Sequence, residues 1–381
     1  MTKKFYLNAK MGCDLNRVDG ERIRQSLLDN GWSQTSSLKE ADLVLFNTCA
    51  VIKKRVDACV REIKRIKREK KKSARFVVCG CLPGIDPATL KKHFNGKALT
   101  PTKLADLDHI INAKKSISSQ PLSQIMTIRT SRTHSHPGKT NMKRQMPMPA
   151  HDRKVAIIRT NYGCLGDCTF CAIKNNFPRL ISRSQEDIIE DAKAAMEKGC
   201  SEITLSAEDL SAYGCDLGKG IGLISLLNGL LRLKGTASFS LLRVYPGFII
   251  RNRKAMIKVL GSGRIGFLSI PVNSGSQKII RLMNRRYDVK KIISSVREIK
   301  RKTPKVKIRF DIMVGFPGET DDDFRKTLRL VKDHIADEIV IYEFSPMPGT
   351  GAAKLPCQLP KKIIKSRANI LLLHSGADRP S

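Results

Sequence analysis

The stretch KVAIIRTNYGCLGDCTFC, residues 154–171, runs from a β-rich segment straight into three cysteines spaced three and then two residues apart. The chain has only 11 cysteines in 381 residues, so this loop is a concentrated feature. Three thiolates on one short loop can wrap one face of a four-iron, four-sulfur cubane and ligate three of its irons, whereas ferredoxin loops supply a cysteine for every iron. The remaining iron is left open to chelate a ligand such as the amino and carboxylate groups of a methionine derivative, and to pass it an electron. Structural zinc requires four closed ligands, and no partner pair at zinc-finger spacing follows Cys171. Cys164, Cys168 and Cys171 are therefore read as the ligands of a 4Fe–4S cluster.

Outward from this loop, strand-then-helix units repeat. KVAIIRT is followed by SEITLSAED, SFSLLRVYP, IGFLSIPVNSG, VKIRFDIMVGFPGE and DEIVIYEFSPMPG, with helical stretches such as SQEDIIEDAKAAMEKG and VKKIISSVREIKRK between them. Six strands in about 195 residues fall short of a complete eight-unit barrel, which takes about 250 residues. The expectation is a partial, six-unit β/α barrel over residues 152–350, followed by a short extension over 351–381. Chemistry in such barrels sits at the C-terminal ends of the strands. There Glu208 and Asp209 can accept hydrogen bonds from a cofactor's ammonium or ribose, and Arg243 can pair with a carboxylate. Ser274, Gly275 and Ser276 offer N–H and hydroxyl groups, and Gly315 in GFPGE lets the chain approach a ligand without a Cβ.

Residues 1–111 alternate the two periodicities as well. FYLNA (5–9), DLVLFNT (42–48) and RFVVCG (75–80) read as strands, and residues 18–31 and 50–70 as helices. The pattern predicts a small doubly wound parallel sheet, so the whole chain belongs to the α/β class. Each of the three strands leads into a cysteine at or just past its end. In an open parallel sheet those ends share one edge, so Cys13, Cys49 and Cys81 can converge on a second, auxiliary 4Fe–4S cluster although 36 and 32 residues separate them. Cys79 competes with Cys81, but it lies inside the apolar run, where a thiol acts as a small buried hydrophobe. Cys59, Cys200, Cys215 and Cys357 have no ligand spacing.

Residues 112–151 lose all periodicity and are rich in Ser, Thr, Pro and Gln with Lys and Arg, which predicts a basic linker. His134, His136 and His151 within it are expected to be solvated rather than metal-bound. The chain as a whole carries 70 Lys and Arg against 35 Asp and Glu, a formal +35. Such a field concentrates polyanions, and nucleic acid is the natural partner. The basic stretches at 52–72 and 283–291 are candidates for phosphate contact, while six Tyr and one Trp give no evident base-stacking platform. No run has the length of a membrane span and the N-terminus has no apolar signal stretch, so a cytoplasmic protein without membrane partners is expected, its clustered cysteines reduced.

The CX3CX2C loop after the first strand of a partial barrel resembles the radical S-adenosylmethionine superfamily, which implies reductive cleavage of S-adenosylmethionine to a 5′-deoxyadenosyl radical. Phe170 occupies the aromatic position that this resemblance places near the adenine. Together with MGCDLNRVDGE, FNTCAV, GCLP, EITLSAEDLSAYG, PVNSGSQKIIRLMNRRY, DIMVGFPGETDDDF and FSPMPGTGAAK, the chain over roughly residues 1–354 resembles the methylthiotransferase family. SAEDLSAYGCD is most similar to the branch acting on threonylcarbamoylated adenosine beside the tRNA anticodon. The resemblance implies that the cluster on Cys13, Cys49 and Cys81 holds a sulfide or methylsulfide methylated by one S-adenosylmethionine. A second, at the barrel cluster, yields the radical that activates a C–H position, in this branch position 2 of the adenine of a tRNA. Electron donor and sulfur source stay unnamed.

Two departures stand out. The family's tRNA-modifying members end in a small RNA-binding β-barrel, whereas the residues after FSPMPGTGAAK suffice for one helix or strand, and Asn273 stands where Gln is usual. A ribosomal protein, a peptide or a small molecule is accordingly the alternative substrate. A nucleic-acid-binding iron–sulfur sensor without turnover is a third reading, disfavoured because a sensor has no use for an open iron.

Overall fold

The computed structural model describes residues 2–129 and 152–375. His134, His136 and His151 lie outside the described residues. The first sheet has five strands: β1 (Lys4–Asn8), β2 (Ser33–Gln34), β3 (Leu43–Thr48), β4 (Arg75–Gly80) and β5 (Lys97–Leu99). Their order is β2-β1-β3-β4-β5 and every pairing is parallel. β2 and β5 are too short to show periodicity in the sequence. Helix α1 (Asp14–Asp29) covers one face of the sheet and helix α2 (Lys53–Glu69) the other.

Alternation along β3 makes this double layer. Val44 and Phe46 join Val56, Cys59, Ile63 and Ile66 of α2 in one core, while Leu43 and Leu45 join Ile23 and Leu27 of α1 in the other. β4 obeys the same parity, so Val77 and Cys79 point into the α1 core. Cys81, beyond the strand end, opens the short helix Leu82–Ile85. Cys79 thus lies within the strand, its side chain in the α1 core and away from the sheet edge, and burial pushes its thiol up to about 12.

The second sheet has seven strands. β6 (Ser123–Arg129) pairs antiparallel with β7 (Asp152–Arg159). A small hairpin of β8 (Asn161–Tyr162) and β9 (Ile181–Ser182) stands apart. Then follow β10 (Glu202–Ser206), β11 (Ser238–Leu241), β12 (Ile265–Asn273), β13 (Lys307–Val314) and β14 (Glu338–Glu343), all parallel to β7 in chain order. These are the six predicted barrel strands. β6 corrects the linker reading: SQIMTIR is an edge strand of the barrel, ordered by its pairing with β7 rather than by a pattern of its own.

Along β13, Ile308, Phe310, Ile312 and Val314 face the helical shell. Of the alternate residues, Lys307, Arg309 and Asp311 are polar. Arg309 lies 3.2 Å from Asp311, Ser269 of β12 donates to Asp311 at 3.3 Å, and Ser240 of β11 donates to Glu202 at 2.6 Å. The concave side of the barrel is thus lined with hydrogen-bonding groups, as a polar substrate requires.

The extension beyond residue 350 is integral to the barrel. Helix Lys361–His374 buries Ile364, Ala368 and Leu371, and Arg367 reaches Glu319 at 2.7 Å and Asp321 at 2.6 Å. Gly315 adopts a left-handed φ of 79°, and a Cβ there would meet Ile364 at 2.5 Å. Its glycine character serves this helix–loop packing.

Candidate active site

The auxiliary triad is built by strand topology. β1, β3 and β4 are neighbours, so the residues just past their ends, Cys13, Cys49 and Cys81, share one edge. Cys13 is the N-terminal flanking residue of α1. Gly12 before it has a φ of 136°, and a Cβ would strike Asn16 at 2.4 Å. Beneath the edge Asn16 donates to Asn47 Oδ1 and to Thr48 O, both at 3.1 Å, and Asn47 returns a bond to Asn16 O at 2.7 Å. Cys81 N donates to Thr48 O at 3.0 Å, and Cys59 Sγ donates to Cys49 O at 3.3 Å. Cys59 is therefore a support of the edge and not a member of it. Burial lifts the Cys13 thiol to about 11, with the Asp14 charge adding to it. Burial lifts the Cys81 thiol well above the ordinary range, and the charges of Cys13 and Cys49 add to it, so the three sulfur atoms lie within one another's field.

The barrel triad sits on the loop after β7 and β8. Gly163 has a φ of 82°, and a Cβ would meet Arg179 O at 2.3 Å, so the sharp entry needs glycine. Inside the loop Gly166 N donates to Cys164 Sγ at 3.2 Å and Cys171 N to Cys168 O at 3.1 Å. Outside it Thr169 N donates to Met283 O at 3.1 Å, Ala352 N to Thr169 O at 2.8 Å, and Asn284 Nδ2 to Asp167 O at 3.0 Å. Burial raises the Cys164 thiol to about 12, with Asp209 adding, and Cys171 to about 11.

Arg285, from the basic stretch read as a phosphate contact, turns inward. Its Nη1 lies 3.6 Å from Cys168 Sγ, its Nη2 donates to Pro271 O at 2.9 Å, and its guanidinium stacks over Tyr245 and Tyr287. It is a fixed cation beside the loop, and the sequence reading missed it.

The predicted cofactor contacts divide. Asp209 lies beside the first triad thiol, with Cys164 Sγ 3.8 Å from Oδ2, while its Oδ1 accepts from Ser211 N and Oγ; burial raises its carboxyl pKa. Phe170 is half-buried against the barrel core. Glu208 is engaged elsewhere, taking Arg159 at 3.0 Å on one oxygen and Gly163 N at 3.0 Å on the other. Arg243 is held in a bidentate pair with Asp14 at 3.1 and 2.8 Å and by Ala207 O at 2.6 Å. Ser274 is fully buried, sharing a 3.1 Å hydrogen bond with Thr327 and accepting from Ser276 N. Gly315 N donates to Glu319 at 3.0 Å.

Glu208 links the two sides: one oxygen takes Gly163 N beside Cys164, the other takes Arg159, which also reaches Leu15 O and Asp19 on the helix that follows Cys13. Asn176, just past the barrel loop, donates to Cys81 O at 3.0 Å. Asp14, Asp19, Arg159 and Asn176 were also missed in the sequence. The available signal was an arginine closing an otherwise apolar strand in VAIIRT, and an acid directly after Cys13.

Comparison with known proteins gives the class first. The radical SAM superfamily model matches residues 158–331, and the model of the uncharacterized protein family UPF0004 matches residues 4–100. The radical S-adenosylmethionine methyltransferase TsrM from Kitasatospora setae shares the fold, with a TM-score of 0.60 over 92% of this chain and 74% of that one at 13% identity. The barrel and its triad define a radical S-adenosylmethionine enzyme class.

The probable threonylcarbamoyladenosine tRNA methylthiotransferase of Pyrococcus abyssi is 32% identical over 97% of this chain and 83% of its own length. The human threonylcarbamoyladenosine tRNA methylthiotransferase is 31% identical over 94% of this chain, which spans 60% of the human protein. The ribosomal protein uS12 methylthiotransferase RimO of Carboxydothermus hydrogenoformans is 29% identical over 96% of this chain and 81% of its own. This chain belongs to the radical S-adenosylmethionine methylthiotransferase family.

The cofactors of the family are two 4Fe–4S clusters and S-adenosylmethionine. The residues present fit them. Among the described residues no three His, Cys, Asp or Glu groups are placed for a single metal ion. The cysteines form instead two triads of interacting thiols: burial raises the pKa of Cys13, Cys49, Cys81, Cys164 and Cys171, and the Arg285 guanidinium lies beside Cys168 Sγ. Thiolates in such surroundings require a positive partner, which iron supplies. Asn273 Oδ1, at a left-handed residue ending β12, and Arg285 Nε are buried without a hydrogen-bond partner, and a bound ligand can satisfy both.

Proposed function

We propose that the chain inserts a methylthio group at an unreactive C–H of tRNA, at position 2 of N6-threonylcarbamoyladenosine next to the anticodon. Cys164, Cys168 and Cys171 hold one cluster, Cys13, Cys49 and Cys81 the auxiliary one. The observation that carries this reading is the pair of three-cysteine groups, one per domain, joined through Glu208 and Arg159 and by Asn176 on Cys81 O. When bound, the barrel cluster supplies the electron that cleaves S-adenosylmethionine, and the auxiliary cluster supplies the sulfur to be inserted.

The chain's own residues bind and orient. Asp209 and Asn273 Oδ1 offer acceptors to the cofactor's ammonium and ribose, Phe170 offers a face to its adenine, and Arg285 sets its guanidinium beside Cys168 Sγ. Glu208 holds the turn into Cys164 by accepting from Gly163 N, and Arg243 holds the residue after Cys13. Ser274 and Gly315 fix the loops behind them.

The tRNA assignment is supported by the family, by the +35 charge and by α2. Lys54, Arg61, Lys64 and Arg68 are exposed on this helix. Its first residue lies beside the barrel, where Lys53 N donates to Ser345 Oγ at 3.2 Å. A basic stripe starting at the triad edge suits a phosphate backbone leading to the modified base.

Mass spectrometry of tRNA nucleosides from a deletion strain and its parent tests the substrate. The expected outcome is loss of the 2-methylthio form of threonylcarbamoyladenosine with accumulation of the unmodified nucleoside. An unchanged nucleoside profile together with a methylthio mass lost from a ribosomal protein would move the substrate to protein.

A further inference from the structure

Between the two triads lies a set of charged side chains that binding a cofactor does not explain. Arg159, at the end of β7, is 1% exposed, and its partners Asp19 and Glu208 are 4% and 5% exposed. On one side Arg159 Nη1 donates to Glu208, whose other oxygen receives Gly163 N immediately before Cys164. On the other side Nη2 donates to Asp19 at 3.1 Å and to Leu15 O at 3.3 Å, both on α1. The guanidinium also stacks over Tyr162 at 4.3 Å, and Tyr162 accepts from Arg22 of α1 at 3.1 Å.

One turn earlier the pattern recurs. Arg243, at the end of β11 with a φ of 62°, grips both oxygens of Asp14, the residue after Cys13, and Ser206 at the end of β10 bonds to the same pair. Burial raises the Asp14 carboxyl, but the charge and hydrogen bonds of Arg243 outweigh it and hold the group well below the usual carboxylate range. For Asp19 burial wins over Arg159 and Arg22, and its pKa is raised.

Both arginines come from barrel strands, and both carboxylates from the first helix of the other domain. Interfaces between domains of one chain are by default free to shift unless large and apolar. Arg243 holds Asp14 bidentately and Arg159 bridges two desolvated carboxylates, arrangements that each fix one geometry, so their use is registry more than stability. We infer that Arg159 and Arg243 are positioning residues: they clamp α1 to the barrel's strand ends and so fix the auxiliary triad at a set distance from the barrel triad. Asn176 on Cys81 O is the third point of the clamp. The three points lie behind Cys13, Cys81 and Cys164, where any shift of α1 is transmitted to the sulfur to be transferred. The inference rests on the proposed methylthiotransferase reading for its consequence, and on the geometry alone for the clamp.

The test uses the full chain with Asp14→Asn and Asp19→Asn, singly and together; these keep shape and an acceptor oxygen while removing charge. Hydrogen exchange of amides 14–24, measured in the cluster-free chain, is expected to quicken about tenfold or more, with β3 and β12 unchanged. In the reconstituted protein the iron content and the 5′-deoxyadenosine yield are expected to stay within about twofold, while methylthiolated product per 5′-deoxyadenosine falls about tenfold or more. The charged variant Asp14→Glu is expected to recover most of that ratio. If the double variant does not fold, Asp14→Asn alone decides, since Arg243 stays partly solvated. Unchanged exchange at 14–24, or faster exchange with an unchanged product ratio, overturns the inference. If the parent protein makes no methylthiolated RNA, the substrate reading fails, and the exchange result still decides the clamp.

Discussion

Replacing Cys164, Cys168 and Cys171 together by alanine is expected to lower the iron of the reconstituted chain from about eight to about four per molecule and to abolish 5′-deoxyadenosine formation. The same replacement at Cys13, Cys49 and Cys81 is expected to leave about four irons as well, with 5′-deoxyadenosine still formed and no methylthiolated product. The asymmetry follows from the separate construction of the triads. The barrel triad rests on a single loop pinned by Met283, Asn284 and Ala352, and the auxiliary triad on three strand ends locked by Asn16, Asn47 and Thr48. Cys79→Ala serves as the control. Its side chain lies in the α1 core, so the variant should keep about eight irons and lose only stability. Iron content and 5′-deoxyadenosine by chromatography read all three. Retention of about eight irons in either triple variant would place that cluster's ligands elsewhere.

The second large effect is on stability. Arg159→Met removes the cation between Asp19 and Glu208, both nearly inaccessible to water, and leaves two carboxylates unpaired. Breaking a buried ion pair from one side costs about 3–5 kcal/mol. Replacing the whole set by apolar residues of similar size is expected to recover most of the loss, because the penalty comes from the stranded carboxylates. Urea unfolding of the cluster-free chain measures both. A loss below about 1 kcal/mol for Arg159→Met would mean that water reaches Asp19 and Glu208.

The six candidate cysteines could be singled out because each has a local signature, the CX3CX2C spacing or a cysteine ending a β-rich run. Cys81 was separable from Cys79 because Cys79 lies inside the apolar run whereas Cys81 follows Gly80 into the loop. The barrel strands were legible for the same reason, being apolar runs bounded by turn residues. What was hidden depends on partners far along the chain. α1 begins at Asp14, before the predicted start at residue 18; its Asn16 is buried against Asn47 and Thr48, and its Asp19 and Arg22 are buried against the barrel, at positions where a sequence reading expects apolar residues. Arg243 and Glu208 were read as facing a cofactor, but their partners Asp14 and Arg159 lie 229 and 49 residues away. No local pattern records such pairs. Arg285 was disguised by its basic neighbours, and β6 by a Ser- and Pro-rich setting.

The central claim is that each triad leaves one iron of its cluster without a protein ligand. Mössbauer spectroscopy of the 57Fe-reconstituted parent chain, with and without S-adenosylmethionine, addresses it directly. The account predicts about eight irons in two cubanes, with the cofactor shifting the parameters of about one iron in eight. A single cubane, or two whose irons are all indifferent to S-adenosylmethionine, would contradict it.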